Sequence, residues 1–244
     1  RSTLSSSSAA SDVYKRQAWF ALHRRTRIAE GDVLLVHAAA GGVGTAAVQV
    51  ARWLGAEVYG TASPSKWELV RSAGVVDVAS SRDLGFAERW KDVGLTVVLD
   101  ALAGEFVDAS LGLLAAGGRF IEMGKTDVRD PAVVLASHGV RYRSFDLVEA
   151  GPDRTAELFA QLLRGFAAGA LRPASTKVHA LSQAPDVFRT MAGGGHVGKL
   201  TFATGAGRVR PDGVVLISGG TGALGLVAAD WVSERGARAV ALRT

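Results

Sequence analysis

The 244-residue chain carries 28 Lys and Arg against 23 Asp and Glu, a formal net charge of +5. It has no cysteine, which excludes disulfides and thiolate-ligated zinc and fits a reducing, cytoplasmic compartment. With 48% apolar and 21% charged residues, the chain can bury a core, so global disorder is excluded.

The basic residues are scattered, with one tight group at Arg24, Arg25 and Arg27, so the charge predicts no nucleic-acid partner. Val33 to Ala51 and Gly213 to Ala229 contain no Asp, Glu, Lys or Arg. Each is broken near its middle by glycines, which predicts strand–turn–helix units and no membrane span.

Residues 1–17, RSTLSSSSAASDVYKRQ, hold a serine run without amphipathic period. They resemble read-through from a sequencing adapter and are expected to lie outside the fold; a natural flexible tail is the alternative. From Gly31 the pattern alternates. Strands are predicted at Val33–Val36, Val58–Thr61, Val75–Ala79, Val97–Leu99 and Arg119–Met123. Helices are predicted at Val43–Leu54, Lys66–Ala73, Phe106–Leu114 and Thr155–Ala168. Short apolar strands separated by helices imply parallel βαβ units in a doubly wound sheet, an α/β Rossmann fold.

After Pro173 the pattern changes. Lys177–Ala180 and Lys199–Phe202 read as strands around a helix at Ala184–Met191, and residues 205–213 read as a Gly/Arg/Pro linker. Val214–Ile217, a second glycine turn, a helix at Leu224–Arg235 and a strand at Ala239–Leu242 repeat the first nucleotide-binding unit.

The segment His37-Ala-Ala-Ala-Gly-Gly-Val-Gly44 follows a strand and opens a helix. Laid over G-x-G-x-x-G, it puts Ala39, Gly41 and Gly44 at the three glycine positions, with Gly42 and Val43 between. Such a turn offers backbone N–H groups and a positive helix end to a pyrophosphate; a purely structural turn is the alternative. An NAD site places an acid after the second strand, whereas this chain has Gly60-Thr61-Ala62-Ser63-Pro64-Ser65-Lys66. Thr61, Ser63, Ser65 and Lys66 therefore favour NADPH, with an ordinary helix cap as the alternative. The five histidines show no metal-binding spacing, so no metal site is expected.

Several separated runs, LLVHAAAGGVGTAAVQVARWLGAEVYGTAS, SSRDLGF, VVLDALAGEFVDASLGLLAAGGRFIEMGKTD and HVGK, resemble the enoyl reductase domain of modular polyketide synthases. That family is a zinc-free branch of the medium-chain dehydrogenase/reductases, and the resemblance covers roughly residues 18–204. The later run VVLISGGTGALGLVAADWV resembles the start of a ketoreductase domain, with Gly219, Gly222 and Gly225 at its glycine positions.

The resemblance implies an NADP-binding Rossmann domain at 18–172, a return segment of a GroES-like domain at 173–204 and a truncated ketoreductase start at 214–244. The return strands would lack sheet partners. It implies NADPH-dependent reduction of an enoyl thioester held on an acyl carrier protein, beside other domains of the same synthase. It offers Lys66 and Asp83 as candidate proton donors, Arg82 as a second 2′-phosphate contact, and Met123 and Gly124 as cofactor contacts. A free-standing quinone or enoyl-CoA reductase and a non-catalytic NADPH-binding module are the alternatives. The chain departs from the family at Asp100, where Asn is usual, and at Thr96, where Asp is usual.

Overall fold

A computed structural model describes residues 6–145, 151–203, 212–218 and 221–243. Helix α1 (Ser6–Trp19) precedes strand β1 (Val33–Val36), helix α2 (Gly42–Trp53), β2 (Glu57–Ala62), α3 (Trp67–Ser72) and β3 (Asp77–Ser80). Then come α4 (Gly85–Arg89), β4 (Leu95–Asp100), α5 (Glu105–Gly112), β5 (Leu114–Glu122), α6 (Pro131–His138), β6 (Arg141–Ser144) and α7 (Gly151–Ala167). The six strands pair in the order β3-β2-β1-β4-β5-β6, all parallel. The sheet is doubly wound, as expected from the sequence, and this order puts its switch point between β1 and β4.

Side-chain alternation divides the core between the two faces of the sheet. Leu34, Val36, Val97 and Leu99 pack with Ala46, Ala47 and Val50 of α2 and with Leu158 and Leu162 of α7. Leu35, Val98 and Phe120 pack instead with Phe86, Trp90, Val107 and Leu111. Burial on both faces is why β1 and β4 read as continuous apolar runs.

A polar clamp fixes the opposite edge. Thr96 Oγ1 donates to Asp32 Oδ1 at 2.7 Å, Val33 N–H donates to Thr96 Oγ1 at 3.1 Å, and Arg119 pairs with Asp32. Thr96 thus joins β1 to β4.

The structure differs from the sequence reading in several places; β5 begins at Leu114, five residues before the expected Arg119. Residues 6–17, expected outside the fold, belong to α1; the backbone there is helical although the serine run has no apolar stripe. In β3, Val75 is buried before the strand, which starts at Asp77 because that carboxylate is fixed by Arg89 and Trp90. Helices α4 and α6 and strand β6 were not expected. The return strands β7 (Thr176–Ala180) and β8 (Lys199–Ala203), which flank α8 (Ala184–Ala192), do have sheet partners: they pair with each other.

A second compact unit takes in β9 (Val214–Ser218), α9 (Ala223–Glu234) and β10 (Ala239–Arg243), with β9 and β10 parallel. Residues 205–211 of the expected linker lie outside the described residues. Among the described residues no helix is long and apolar enough to cross a membrane.

Parallel strands are stable when both faces are covered, yet Val214 is 68% and Leu224 86% exposed. One helix on two strands buries too little surface to hold firmly. Amide exchange in β9, α9 and β10 is therefore expected to be far faster than in β1 and β4. Equal protection of the two units, measured by mass spectrometry, would contradict this.

Candidate functional site

At the end of β1 the chain turns through residues 37–41 into α2. Ala38 makes the turn at φ 50°, in the left-handed region, at a cost of roughly 1–2 kcal/mol for an L residue. Gly41 N–H donates to Ala38 O at 2.8 Å, and Ala39 N–H donates to Thr61 O at 2.8 Å, fastening the turn to the end of β2. A Cβ on Gly44 would lie 2.7 Å from Ala39 Cα, so only glycine allows this approach. The helix start then faces the crevice. The N–H groups of Gly42, Val43 and Gly44 have no acceptor within the helix and suit an anion.

A cavity of about 240 Å³ opens here. Gly41, Gly42, Ser63, Lys66 and Ser81 line one side; Gly194, His196 and Gly198, from the loop before β8, line the other. No Asp or Glu is among its lining residues. Lys66 Nζ donates to Gly194 O at 2.6 Å and His196 O at 2.7 Å. An ammonium has three donors, so one is left for the cavity.

Of the residues expected at the site, Gly41, Gly42, Ser63 and Lys66 meet at this cavity. Ala39 is buried beneath the turn, and Val43 and Gly44 follow in the first turn of α2. Thr61 is fully buried and turned inward. Ser65 is exposed and does not line the cavity, and the same holds for Arg82 and Asp83, on the loop after β3. Hydrogen bonds from the Ser80 hydroxyl and Gly85 N–H hold Asp83 below the usual carboxylate range, so it is ionised at neutral pH. Met123 and Gly124 lie beyond the end of β5, away from the cavity lining. Gly222 caps α9 and Gly225 is buried within it, both in the second unit; Gly219 lies outside the described residues.

A buried polar cluster lies under the crevice floor. His37 Nε2 is 2.7 Å from Ser110 Oγ and Nδ1 is 2.9 Å from Thr61 Oγ1. Ser110 spends its hydroxyl proton on Phe106 O, at 2.6 Å. His37 therefore donates from Nε2 and accepts at Nδ1, as a neutral ring. Burial pushes its pKa from 6.5 to about 3.

Asp100 and Glu122 are register neighbours on β4 and β5, and both are buried. Asp100 Oδ1 accepts from Leu102 N–H at 3.2 Å, and Glu122 Oε1 accepts from Gly124 N–H at 2.5 Å. Burial raises both carboxyls; the Asp100 charge adds to this at Glu122, which moves from 4.5 to about 7.

Comparison with known proteins agrees with this geometry. A family model described as zinc-binding dehydrogenase matches residues 73–201, over half of the chain. Polyketide synthase GfsB of Streptomyces halstedii is 52% identical over 229 residues; the match covers 92% of this chain and 4% of GfsB. The CurK enoyl reductase structure is 36% identical with a TM-score of 0.72, covering 78% of this chain and 60% of that one. The nucleotide-binding subdomain of the PpsC enoylreductase domain from Mycobacterium tuberculosis is 35% identical with a TM-score of 0.60. There the match covers 67% of this chain and 97% of the subdomain. The chain belongs to the enoyl reductases of polyketide synthases.

The matching family's description implies zinc, and the donor set here does not fit one. Among the described residues no group of three or more His, Asp or Glu could hold a metal ion. No step below involves a metal.

Sequence reasoning on the enoyl reductase site missed Ala38, Ser81 and the Gly194–Gly198 loop. The glycine run ahead of HVGK was the available signal for the loop, and SSRD for Ser81, one residue before the expected Arg82.

Two outcomes follow from this geometry. Gly44→Ala drives a methyl into the turn and is expected to cost about 1–3 kcal/mol of stability; denaturant unfolding with no shift in midpoint would refute the close approach. Glu122 has a higher pKa folded than unfolded, so its contribution is fully present below pH 4.5 and lost as pH rises through about 7. The stability of Glu122→Gln relative to the unmodified chain should therefore increase across that window, measured by thermal unfolding. A constant difference would show that the carboxyl does not titrate there.

Proposed function

We propose that this chain binds NADPH for the reduction of the α,β-double bond of an enoyl thioester carried on an acyl carrier protein. It would do so within a polyketide synthase module, beside other domains of the same synthase. The single observation that carries the cofactor choice is the acid-free cavity at the glycine turn, lined by Ser63 and Lys66. A carboxylate there would repel a 2′-phosphate, whereas a hydroxyl and an ammonium bind one by charge-assisted hydrogen bonds.

In this reading the start of α2 receives the pyrophosphate through its unpaired N–H groups. Ser63 and the remaining donor of Lys66 hold the 2′-phosphate. When bound, NADPH supplies the hydride. Lys66 is thereby assigned to the phosphate, and neither Lys66 nor Asp83 is assigned the proton that completes the reduction. The β9–α9–β10 unit is read as the opening of a ketoreductase, on the strength of its strand, turn and helix order.

Fluorescence titration with NADPH and NADH tests this reading. NADPH is expected to bind more tightly, and Lys66→Ala to weaken NADPH by about tenfold more than NADH, the worth of one charge-assisted hydrogen bond. Equal losses for the two nucleotides would reject the 2′-phosphate role.

A further inference from the structure

Two buried carboxyl groups sit side by side where two strands end. Asp100 is 0% and Glu122 1% exposed, and they sit opposite each other in the β4–β5 register. Neither carboxylate can donate a hydrogen bond when ionised. Asp100 Oδ2 and Glu122 Oε2 are buried with no hydrogen-bond partner among the described residues. Two neighbouring acceptors, each with an unsatisfied oxygen, are reconciled by one proton between them.

Among the described residues, the titratable groups that act on the pair are neutral or acidic. From β1, His37 Nε2 lies 3.9 Å from Asp100 Oδ1, but that nitrogen is engaged by Ser110 and the ring is neutral. From the loop after β5, Asp127 adds negative charge, itself paired with Arg129. From β6, Tyr142 contributes a neutral phenol whose ionisation the two carboxyls oppose.

The pair also anchors two turns. Asp100 holds the turn after β4 through Leu102 N–H, and Glu122 holds the turn after β5 through Gly124 N–H. Met123 N–H donates to Asp100 O at 2.9 Å and locks the two together. In a doubly wound sheet the second half of a dinucleotide lies over the strand ends on this side of the switch point.

We propose that Asp100 and Glu122 share a single proton and act as positioning residues, holding the turns at Leu102 and Gly124 in the shape that receives the nicotinamide half of the nucleotide. This rests on the NADPH reading above. Loss of the shared proton puts two negative charges at one buried point and drives the turns apart. The site then becomes sensitive to pH near neutrality, which an Asn at position 100 would not allow. With Asn, its amide donates to Glu122 and the pair carries one fixed negative charge, as the shared-proton state does.

The experiment has two readouts on the full chain. Infrared spectroscopy without nucleotide should show the carbonyl band of a buried protonated carboxyl on the acid side of neutrality. That band should fade as pH rises, and be missing in Asp100→Asn. NADPH titration should show affinity falling about tenfold per pH unit above the midpoint, as loss of one linked proton requires, with no such fall in Asp100→Asn. Should that variant not fold, Glu122→Gln preserves the charge and the hydrogen bond and is expected to behave in the same way. Absence of the band overturns the shared proton. A band with identical pH dependence of binding in variant and unmodified chain overturns the positioning role. Failure to bind NADPH on the acid side, with the band present, overturns both the cofactor reading and the positioning role while leaving the proton established.

Discussion

The missing side chain at Gly44 is the contact on which the rest of the crevice depends. It lets the first turn of α2 press onto Ala38 and Ala39, so that the positive end of the helix faces outward over the sheet rather than across it. The same approach places Ala39 N–H on Thr61 O. Thr61 then does two things at once: its carbonyl holds the anion-binding turn, and its hydroxyl holds His37. The proposed phosphate cradle and the buried polar floor thus share one residue, and strain at Ala38 is tolerated because both sides fix it.

Much of the architecture was legible because burial on both sheet faces writes strands as unbroken apolar runs. β1 was read to the residue, and α2, β2 and β4 within one or two. β6 was missed for the opposite reason. It is an edge strand with Tyr142 buried and Arg141 and Arg143 exposed, so it carries one apolar residue where a central strand carries four. Helix α6 was preceded by a readable signal, Asp130 capping two N–H groups before Pro131, but exposed Val133 and Leu135 obscure its period.

The site divides along the same line. The glycine turn and the absence of an acid after β2 are local and can be read directly. Lys66 meeting Gly194 and His196 is a contact across nearly 130 positions, made by backbone carbonyls that no residue type announces. For the same reason the two roles competing for Lys66 could not be separated in sequence. Once two of its three donors are committed to the return loop, one donor remains beside the acid-free cavity, and that favours the phosphate.

The electrostatics of the crevice also follow from position in the sheet. On the β2 side a helix terminus and an ammonium face a cavity without carboxylates, an arrangement that attracts anions. On the β4 and β5 side two carboxyls are buried together, and the His37 ring, 3.9 Å from Asp100, is kept neutral by burial. Full ionisation there would cost desolvation twice and repulsion once, in a medium that screens poorly. It would also set negative charge beneath the strand ends over which a polyanionic nucleotide must lie. A sheet that keeps Asp beside Glu at this point must keep a proton with them, so Asp rather than Asn at position 100 changes the acid–base chemistry of the floor while leaving its backbone contacts as they are.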